Sequence, residues 1–292
     1  MRFERIVGLG LAVIDQITVV DDARLRSVRT RARERVVCPG GMVATALAQA
    51  AQLGCRAQLV SLVGDDDDGR WLLRELRRLG VSTRHVVRSA NHPTGTCSVI
   101  VDRTTGERRF IVADRRSLER KAPALDLSPI TSRSLLLVDG HFSRQALHAV
   151  RRARERRARV IADFSQPRRE WLALLPYVDF PIVPQEFART WQGGRSERTL
   201  RALHAVGGGT PVVTLGERGA VALIDGRIRR FPARRVRVRD TTGAGDVYHG
   251  AFAAGLARGL ELPAALRLAA RAAGLCCTAL GGTGRLLREA EL

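Results

Sequence analysis

The sequence has almost no lysine, few aromatic residues and no long hydrophobic run. No segment approaches the roughly eighteen apolar residues of a membrane-spanning helix, and residues 1–5 do not begin a secretion signal. The five cysteines are odd in number and scattered, with neither a disulfide framework nor a zinc-binding spacing. These absences argue against an integral membrane protein and a disulfide-stabilised secreted one, and we expect a soluble cytoplasmic protein.

The scarcity of lysine contrasts with an excess of arginine. Lys121 is the only lysine among the 49 basic residues, which exceed the 29 acidic residues and give a net charge of +20. A strongly basic protein can bind nucleic acid, but aromatic residues make up only 4% of this chain and are not interleaved with basic runs. A nucleic-acid-binding protein is therefore a weaker alternative. The net charge is better explained by arginines on solvated helix faces, as in 151–157. Such a basic surface also attracts anionic substrates in general.

The chain is organised around the sequence Asp-Thr-Thr-Gly-Ala-Gly-Asp at 240–246. It lies between a run with strand-like alternation, 231–238, and a small-residue helix predicted over 244–258. Glycines at such a junction let successive backbone N–H groups turn inward, and the start of a helix carries partial positive charge. The pattern predicts an anion site, although a capped helix after a tight turn is the alternative. The predicted anion hole consists of Gly243, Ala244 and Gly245.

Asp246 is an unusual residue to find beside an anion site. A carboxylate in the first turn of a helix is common, but here it would face the same space as the bound anion. Electrostatics disfavours that arrangement unless the carboxylate takes part in the chemistry. We interpret Asp246 as a general base that removes the proton of an attacking hydroxyl, while the amides stabilise charge on a transferring phosphoryl group.

The motif at 240–246, followed by an aromatic residue and glycine, resembles the signature of the ribokinase-like (PfkB) carbohydrate kinases. Gly40-Gly41, which opens an alanine-rich helix predicted over 42–54, resembles the second signature of that family. The resemblance implies that Asp246 is the catalytic base and that the preceding residues form the anion hole. The chain has no P-loop and no dinucleotide-binding glycine pattern after its first strand, which excludes those two nucleotide-binding mechanisms.

The order of the predicted elements indicates an α/β fold. A buried strand is predicted over 5–14, ending at Asp15, and from Ser134 onward strands alternate with helices, which is typical of a parallel sheet covered on both faces. The resemblance implies a ribokinase-like fold with a central, mostly parallel sheet and a small β lid. We expect a single domain, 1–292, with lid segments at about 16–37 and 94–113.

The resemblance also implies the ligands and the residues that contact them. It implies ATP and Mg²⁺, with the metal held mainly through phosphates and water and no side chain assigned to it, and it leaves a monovalent cation open. Lid strands in this family often pair between subunits, so a homodimer through the lid is expected. The implied sugar contacts are Asp15, Gly40, Gly41 and Thr45, the last replacing an Asn of many members. The implied nucleotide contacts are Thr214, Gly216, Thr242, Gly243, Gly245 and Gly282.

Several acidic residues and departures from the family pattern qualify this interpretation. The acidic turn at 65–68 lacks the spacing of a calcium-binding loop and is better explained as a helix N-cap. Asp139 and Asp163 follow or end strands, where they could either cap a loop or approach the ligand. Gln185 and Ala188 stand where many relatives have Asn and Glu, so the handling of the metal cannot be transferred in detail.

Within the family, several segments are similar to the sulfofructose kinase branch, among them Thr105-Gly106-Glu107-Arg108 and 246–250. That branch binds its sulfonate partly through an Asn and an Arg, where this chain has Val112 and His141. A sulfonate in the same pose is therefore not expected, although Arg115 and Arg116 could bind a phosphate or sulfonate differently. We predict an ATP-dependent kinase of a ketose or related sugar, with a sugar phosphate also open. A catalytically silent regulator that binds nucleotide or sugar is the alternative.

Overall fold

The computed structural model describes residues 3–113, 122–191, 193–207 and 209–292. Arg115 and Arg116, the arginines predicted to reach an acidic substrate group, lie outside the described residues. The strands are β1 (Arg5–Leu9), β2 (Val13–Val20), β3 (Glu34–Gly40), β4 (Ala57–Gly64), β5 (Val81–Ser89), β6 (Thr96–Asp102), β7 (Arg108–Val112), β8 (Ser134–Val138), β9 (Arg159–Asp163), β10 (Phe180–Pro184), β11 (Val212–Thr214), β12 (Ala220–Ile224) and β13 (Arg227–Phe231). The α-helices are α1 (Met42–Gln52), α2 (Asp67–Arg78), α3 (Ser143–Glu155), α4 (Arg169–Leu172), α5 (Gln185–Trp191), α6 (Ser196–Gly207), α7 (Ala244–Ala257) and α8 (Leu262–Cys276).

The described strands form a main sheet in the order β13-β12-β11-β10-β9-β8-β1-β4-β5. The pairs from β11 to β5 are parallel, whereas β12 and β13 add an antiparallel hairpin at one edge. Helices must connect parallel neighbours, because such strands cannot be joined by a tight turn. The predicted α/β fold with a mostly parallel sheet is confirmed.

Two hydrophobic layers cover the main sheet. Side chains on a strand alternate between faces, so Ile6 packs into one layer and Val7 into the other. The first layer contains residues of α1, α2, α7 and α8, and the second contains residues of α3, α4, α5 and α6. Where α1 crosses α7, a Cβ on Gly250 would overlap the carbonyl oxygen of Ala46, so this glycine permits the close approach of the two helices. Among the described residues, no helix is both long and apolar enough to cross a membrane.

A second, four-stranded sheet in the described chain has the order β3-β2-β6-β7. Its inner residues, including Ile17, Val99 and Val101, form a small cluster of their own. The strand predicted over 5–14 is wrong as a single strand, because the chain leaves the main sheet after Leu9 and re-enters β structure at Val13. Asp15 therefore lies in the smaller sheet and not at the end of a main-sheet strand.

The expectation of a strand over 231–238 is also wrong. β13 ends at Phe231, and residues 232–239 have no regular structure. This segment crosses the end of α8 instead, where the Arg239 N–H donates to the carbonyl oxygen of Cys277 at 2.8 Å. Valine and arginine alternate here, but an alternating segment forms a strand only where a neighbouring strand supplies backbone hydrogen bonds.

Candidate active site

The start of α7 forms an open helix N-terminus. Gly243 precedes the helix with a φ of 72°, and a Cβ at this position would overlap the Cα of Gly282. Both the left-handed backbone and this contact require glycine. Gly245 is different: it is exposed, and a Cβ built on it would meet no atom within 4 Å. Open space thus lies beside Gly245 in the first turn of α7, where a helix N-terminus favours an anion. The N–H of Ala244 donates to the carbonyl oxygen of Thr241 at 3.3 Å, so an anion would have to compete with this long hydrogen bond.

Asp240 fixes the loop that leads into this turn. Its fully buried carboxylate accepts hydrogen bonds from the N–H and hydroxyl of Thr242, at 2.8 and 2.7 Å. Its other oxygen accepts one from the N–H of Gly281 at 2.8 Å. The Gly243 loop and the glycine-rich loop at 281–284 are thus joined by a single carboxylate, which holds Gly282 against Gly243.

Asp246 lies in the first turn of α7 and is half-buried. Burial raises the pKa of this carboxyl well above its ordinary value, and the nearby carboxyl groups of Asp163 and Asp15 act in the same direction. The charges of His249 and Arg108 partly oppose that rise. A carboxyl group with a raised pKa has the basicity that a general base needs near neutral pH.

Asp15 lies on β2, between Cys38 of β3 and Cys97 of β6. A Cβ on Gly40 would overlap its carboxylate, so this glycine makes room for Asp15. Burial, with a smaller effect of Asp240, raises the pKa of Asp15 to about 7. The pKa values of both flanking thiols are also raised, mainly by burial, so they are protonated and uncharged near pH 7.

The other predicted sugar contacts meet the glycine loops. Gly41 begins α1 with a φ of 93°, and its carbonyl accepts the N–H of Thr45 at 2.9 Å. Thr45 is buried and lies against Gly282, where an added Cβ would come within 2.9 Å of its methyl group. The start of α1, the Gly282 loop and the start of α7 therefore converge.

Thr214 and Gly216 lie farther along the main sheet. Thr214 ends β11, and Gly216 begins the short 3₁₀ turn that follows. Among the described residues, no hydrogen bond joins either of them to the Gly243 loop. Gln185 accepts a hydrogen bond from Arg218 of the same turn at 2.8 Å, while Ala188 is buried in the core.

The acidic residues singled out in the sequence have different roles. Asp66 caps α2 by accepting the Gly69 N–H at 2.7 Å, which confirms the predicted N-cap. Asp139 accepts the N–H groups of Leu11 and His141, at 2.8 and 3.0 Å, and so organises the loops after β1 and β8. Asp163 instead contacts His249 of α7.

Two residues near Asp246 were not predicted as site residues. His249 follows Asp246 by one helical turn and is buried, with its Nδ1 atom 3.2 Å from Asp163. Arg108, at the start of β7, donates a hydrogen bond to the Thr241 hydroxyl across 133 positions of sequence. Both contacts depend on tertiary structure. The only signal in the sequence is that both residues lie in the segments that resemble the sulfofructose kinase branch, 105–108 and 246–250.

No group of three or more His, Cys, Asp or Glu side chains is placed to hold a metal ion in the described ranges. A Mg²⁺ ion held mainly by the phosphates of a nucleotide and by water stays a prediction, with no side chain assigned to it.

The sheet order, the helices on both faces and the small second sheet define the ribokinase-like fold. The chain belongs to the pfkB family of carbohydrate kinases, whose model matches residues 4–288. It is 26% identical over 298 residues to the ketohexokinase of Mus musculus, covering 97% of this chain and 99% of that protein. The ribokinase of Thermotoga maritima has 25% identity and a TM-score of 0.80, covering 99% of this chain and 98% of that one. The ribokinase of Arabidopsis thaliana, solved with ribose and ATP, has 21% identity and a TM-score of 0.82, covering 100% and 97%.

Membership of the family makes this chain a carbohydrate kinase. The predicted family is thereby confirmed. The similarity to the sulfofructose kinase branch is not confirmed by these comparisons and stays a prediction.

Proposed function

We propose that this kinase transfers the γ-phosphoryl group of ATP to a hydroxyl of a ketose or related sugar. The observation that carries the proposal is the position of Asp246 in the first turn of α7, beside the open space at Gly245. In this proposal Asp246 is the base, and backbone amides at the same helix N-terminus are the donors. The mouse relative named ketohexokinase supports a ketose, and the Arabidopsis structure with ATP supports the nucleotide.

In this mechanism Asp246 accepts the proton of the sugar hydroxyl as its oxygen attacks the γ-phosphorus. The bond from that phosphorus to the β,γ-bridging oxygen breaks, and ADP leaves with the electron pair. The amides of Gly243, Ala244 and Gly245 stabilise the charge on the transferring group. Bound Mg²⁺ supplies further neutralisation of the phosphate charge. Most of the rate acceleration then comes from positioning and electrostatics.

We assign sugar binding to Asp15, Gly40, Gly41 and Thr45. Asp15 is a strong candidate because an ionised carboxylate accepts hydrogen bonds from two neighbouring hydroxyls. We assign nucleotide binding to the glycine loops and to the end of β11. The nucleotide contacts in this proposal are Thr214, Gly216, Thr242, Gly243, Gly245 and Gly282.

The substrate is identified by measuring ADP release from MgATP against ketoses, aldoses, nucleosides, sulfofructose and sugar phosphates. We expect a ketose or a ketose derivative to give the highest kcat/KM. Turnover of nucleosides alone would contradict the assigned substrate class, and turnover of sulfofructose would support the branch that the sequence resembles.

Sugar binding should depend on pH through Asp15. Its pKa is raised to about 7, so the carboxylate is lost as the pH falls below 7 and the sugar loses its acceptor. We expect the Kd of the sugar, measured calorimetrically without ATP, to rise about tenfold per pH unit below 7. Asp15→Asn should bind sugar weakly and without this dependence. A wild-type Kd that is constant from pH 5 to pH 8 would contradict the role of Asp15.

The same substitution should stabilise the protein at alkaline pH. Because the pKa of Asp15 is raised in the folded state, its ionisation costs stability progressively from about pH 4 to pH 7. Asp15→Asn should therefore raise Tm more at pH 8 than at pH 5. An equal change in Tm at the two pH values would show that Asp15 does not ionise in this window.

Arg108 should contribute to phosphoryl transfer from the lid. Its guanidinium contacts Thr241 and opposes the rise in the pKa of Asp246, so its charge lies close to the proposed transfer site. We expect Arg108→Ala to lower kcat by about 10²-fold. Removing one hydrogen-bond donor to the charge that develops in a transition state has an effect of this size. Arg109→Ala is the matched control, since the next residue of a strand points to the opposite face. Equal effects of the two substitutions on kcat would contradict this role.

We also propose that residues 1–292 form one domain whose lid, the four-stranded sheet, pairs with the lid of a second copy. Val37 and Ile111 are large apolar residues in register on one face of this sheet, with 56% and 62% exposure. An apolar sheet surface of this kind favours association. Sedimentation equilibrium should show a dimer that Ile111→Asp converts to a monomer. A monomeric wild-type protein at micromolar concentration would contradict the pairing.

A further inference from the structure

The ring of His249 is surrounded by oxygen atoms beneath the first turn of α7. Its Nδ1 atom lies 2.7 Å from the carbonyl oxygen of Gly245 and 3.2 Å from Oδ2 of Asp163. Its Nε2 atom lies 3.3 Å from the carbonyl oxygen of Ile182, on β10 of the main sheet. His249 and Asp163 are only 3% and 5% exposed, so water does not compete for these contacts.

These contacts limit the protonation states that fit the site. A backbone carbonyl only accepts hydrogen bonds, so each ring nitrogen that faces one is satisfied only if it carries a hydrogen. A neutral imidazole has one N–H, whereas an imidazolium has two. Burial lowers the pKa of His249 overall, and the carbonyl of Gly245, the carboxylate of Asp246 and the carbonyl of Ile182 oppose this fall in part. The protonation state of the ring is therefore inferred from the hydrogen-bond geometry of its two nitrogens. Asp163 supplies the counter-charge that a buried imidazolium needs.

Other charged groups also face this pair and Asp246. Asp163 is influenced by Asp139 and His141, which follow β8, and its pKa is raised well above its ordinary value, mainly by burial. Asp246 is influenced by Asp163, His249, Asp15 and Arg108. An ionised Asp163 without a partner would oppose the ionisation of Asp246, because two nearby carboxylates cannot both be charged without cost.

We propose that His249 is doubly protonated and pairs with the ionised carboxylate of Asp163, so that this buried pair is electrically neutral while Asp246 ionises. The pair consists of positioning residues, since it acts on the reaction only through Asp246 and the carbonyl of Gly245. The inference deepens the proposed function and rests on Asp246 being the base.

Three variants separate this role from a structural one. His249→Asn keeps a side-chain N–H near the Nδ1 position, for the Gly245 carbonyl, but cannot hold the extra proton. We expect it to move the acid limb of kcat, measured at saturating sugar, to higher pH by about one unit, which is a tenfold loss at a pH below the limb. Asp163→Asn should leave the limb at or below its wild-type position. The double variant should remove the shift caused by His249→Asn.

The protonation of His249 is measured directly by ¹⁵N NMR of histidine-labelled wild-type protein, with His249→Asn identifying the resonance. We expect two protonated ring nitrogens at pH 7, and loss of one of them in Asp163→Asn. A neutral ring at pH 7 in the wild type would overturn the proposal, as would an acid limb that His249→Asn leaves unmoved. If His249→Asn does not fold, the wild-type and Asp163→Asn spectra decide the question.

This NMR measurement does not depend on Asp246 being the base. If Asp246→Asn retains full turnover while His249 is doubly protonated, the proposed base is wrong and the proton pair stands. If Asp246→Asn is inactive while His249 is neutral, the base stands and the pair is wrong.

Discussion

Asp246→Asn should lower kcat by about 10³-fold, with little change in the affinity for ATP. The amide keeps the size and most of the packing of the carboxylate but cannot accept the proton of the sugar hydroxyl. Its expected effect is therefore on the chemical step and not on folding or nucleotide binding. Steady-state ADP release and calorimetric titration with ATP measure the two quantities separately.

Asp68→Asn is the matched control for this substitution. Asp68 also lies in the first turn of a helix, α2, and is exposed there. The control removes a carboxylate from the same kind of position away from the Gly243 loop, and it should leave kcat within about twofold of the wild type. If Asp246→Asn retained more than a tenth of the wild-type kcat, Asp246 would not be the general base.

Gly245→Ala should separate activity from stability. A Cβ at this position meets no atom within 4 Å, and alanine favours a helix more than glycine does, so Tm should be unchanged or higher. The added methyl group enters the space in which we place the transferring phosphoryl group. We expect kcat/KM to fall by about 10²-fold, comparable to the loss of an anion-hole donor.

Gly243→Ala provides the contrast to Gly245→Ala. Here the φ of 72° and the overlap with Gly282 oppose any side chain, so this variant should lose both stability and activity. Thermal unfolding and ADP release distinguish the two cases. A fully active Gly245→Ala enzyme would contradict the position of the anion hole, whereas an unstable one would show that the space is needed by the protein itself.

The sequence allowed the fold class and the glycine loops to be predicted because both depend on local patterns. Alternating strands and helices indicate a parallel sheet, and Gly243 occupies a backbone conformation that glycine adopts readily. The predicted single strand over 5–14 failed because Gly10, at the point where the chain leaves the main sheet, packs against Asp139. A contact between residues so far apart in sequence leaves no periodic signal.

The surroundings of Asp246 could not be predicted for the same reason. In the sequence, His249 is one residue of an alanine-rich helix. Its partners depend on the fold, because β9 brings Asp163 beside it and β10 supplies the carbonyl of Ile182. Arg108 is one of many arginines, and only the packing of the four-stranded sheet places it on Thr241. The sequence predicts that the Gly243 loop carries the chemistry. The charges around Asp246 come from Asp163 on β9, Asp15 on β2 and Arg108 on β7, which only the fold brings together.

Phosphoryl transfer to a sugar hydroxyl with Asp246 as the base is tested most directly by ³¹P NMR of the products formed from MgATP and the preferred sugar, with wild type and Asp246→Asn compared. We predict one new phosphate monoester signal that appears in step with ADP for the wild type, and neither product at a comparable rate for the variant. Release of inorganic phosphate without a sugar phosphate, or equal formation of the ester by both proteins, would contradict transfer to a sugar hydroxyl with Asp246 as the base.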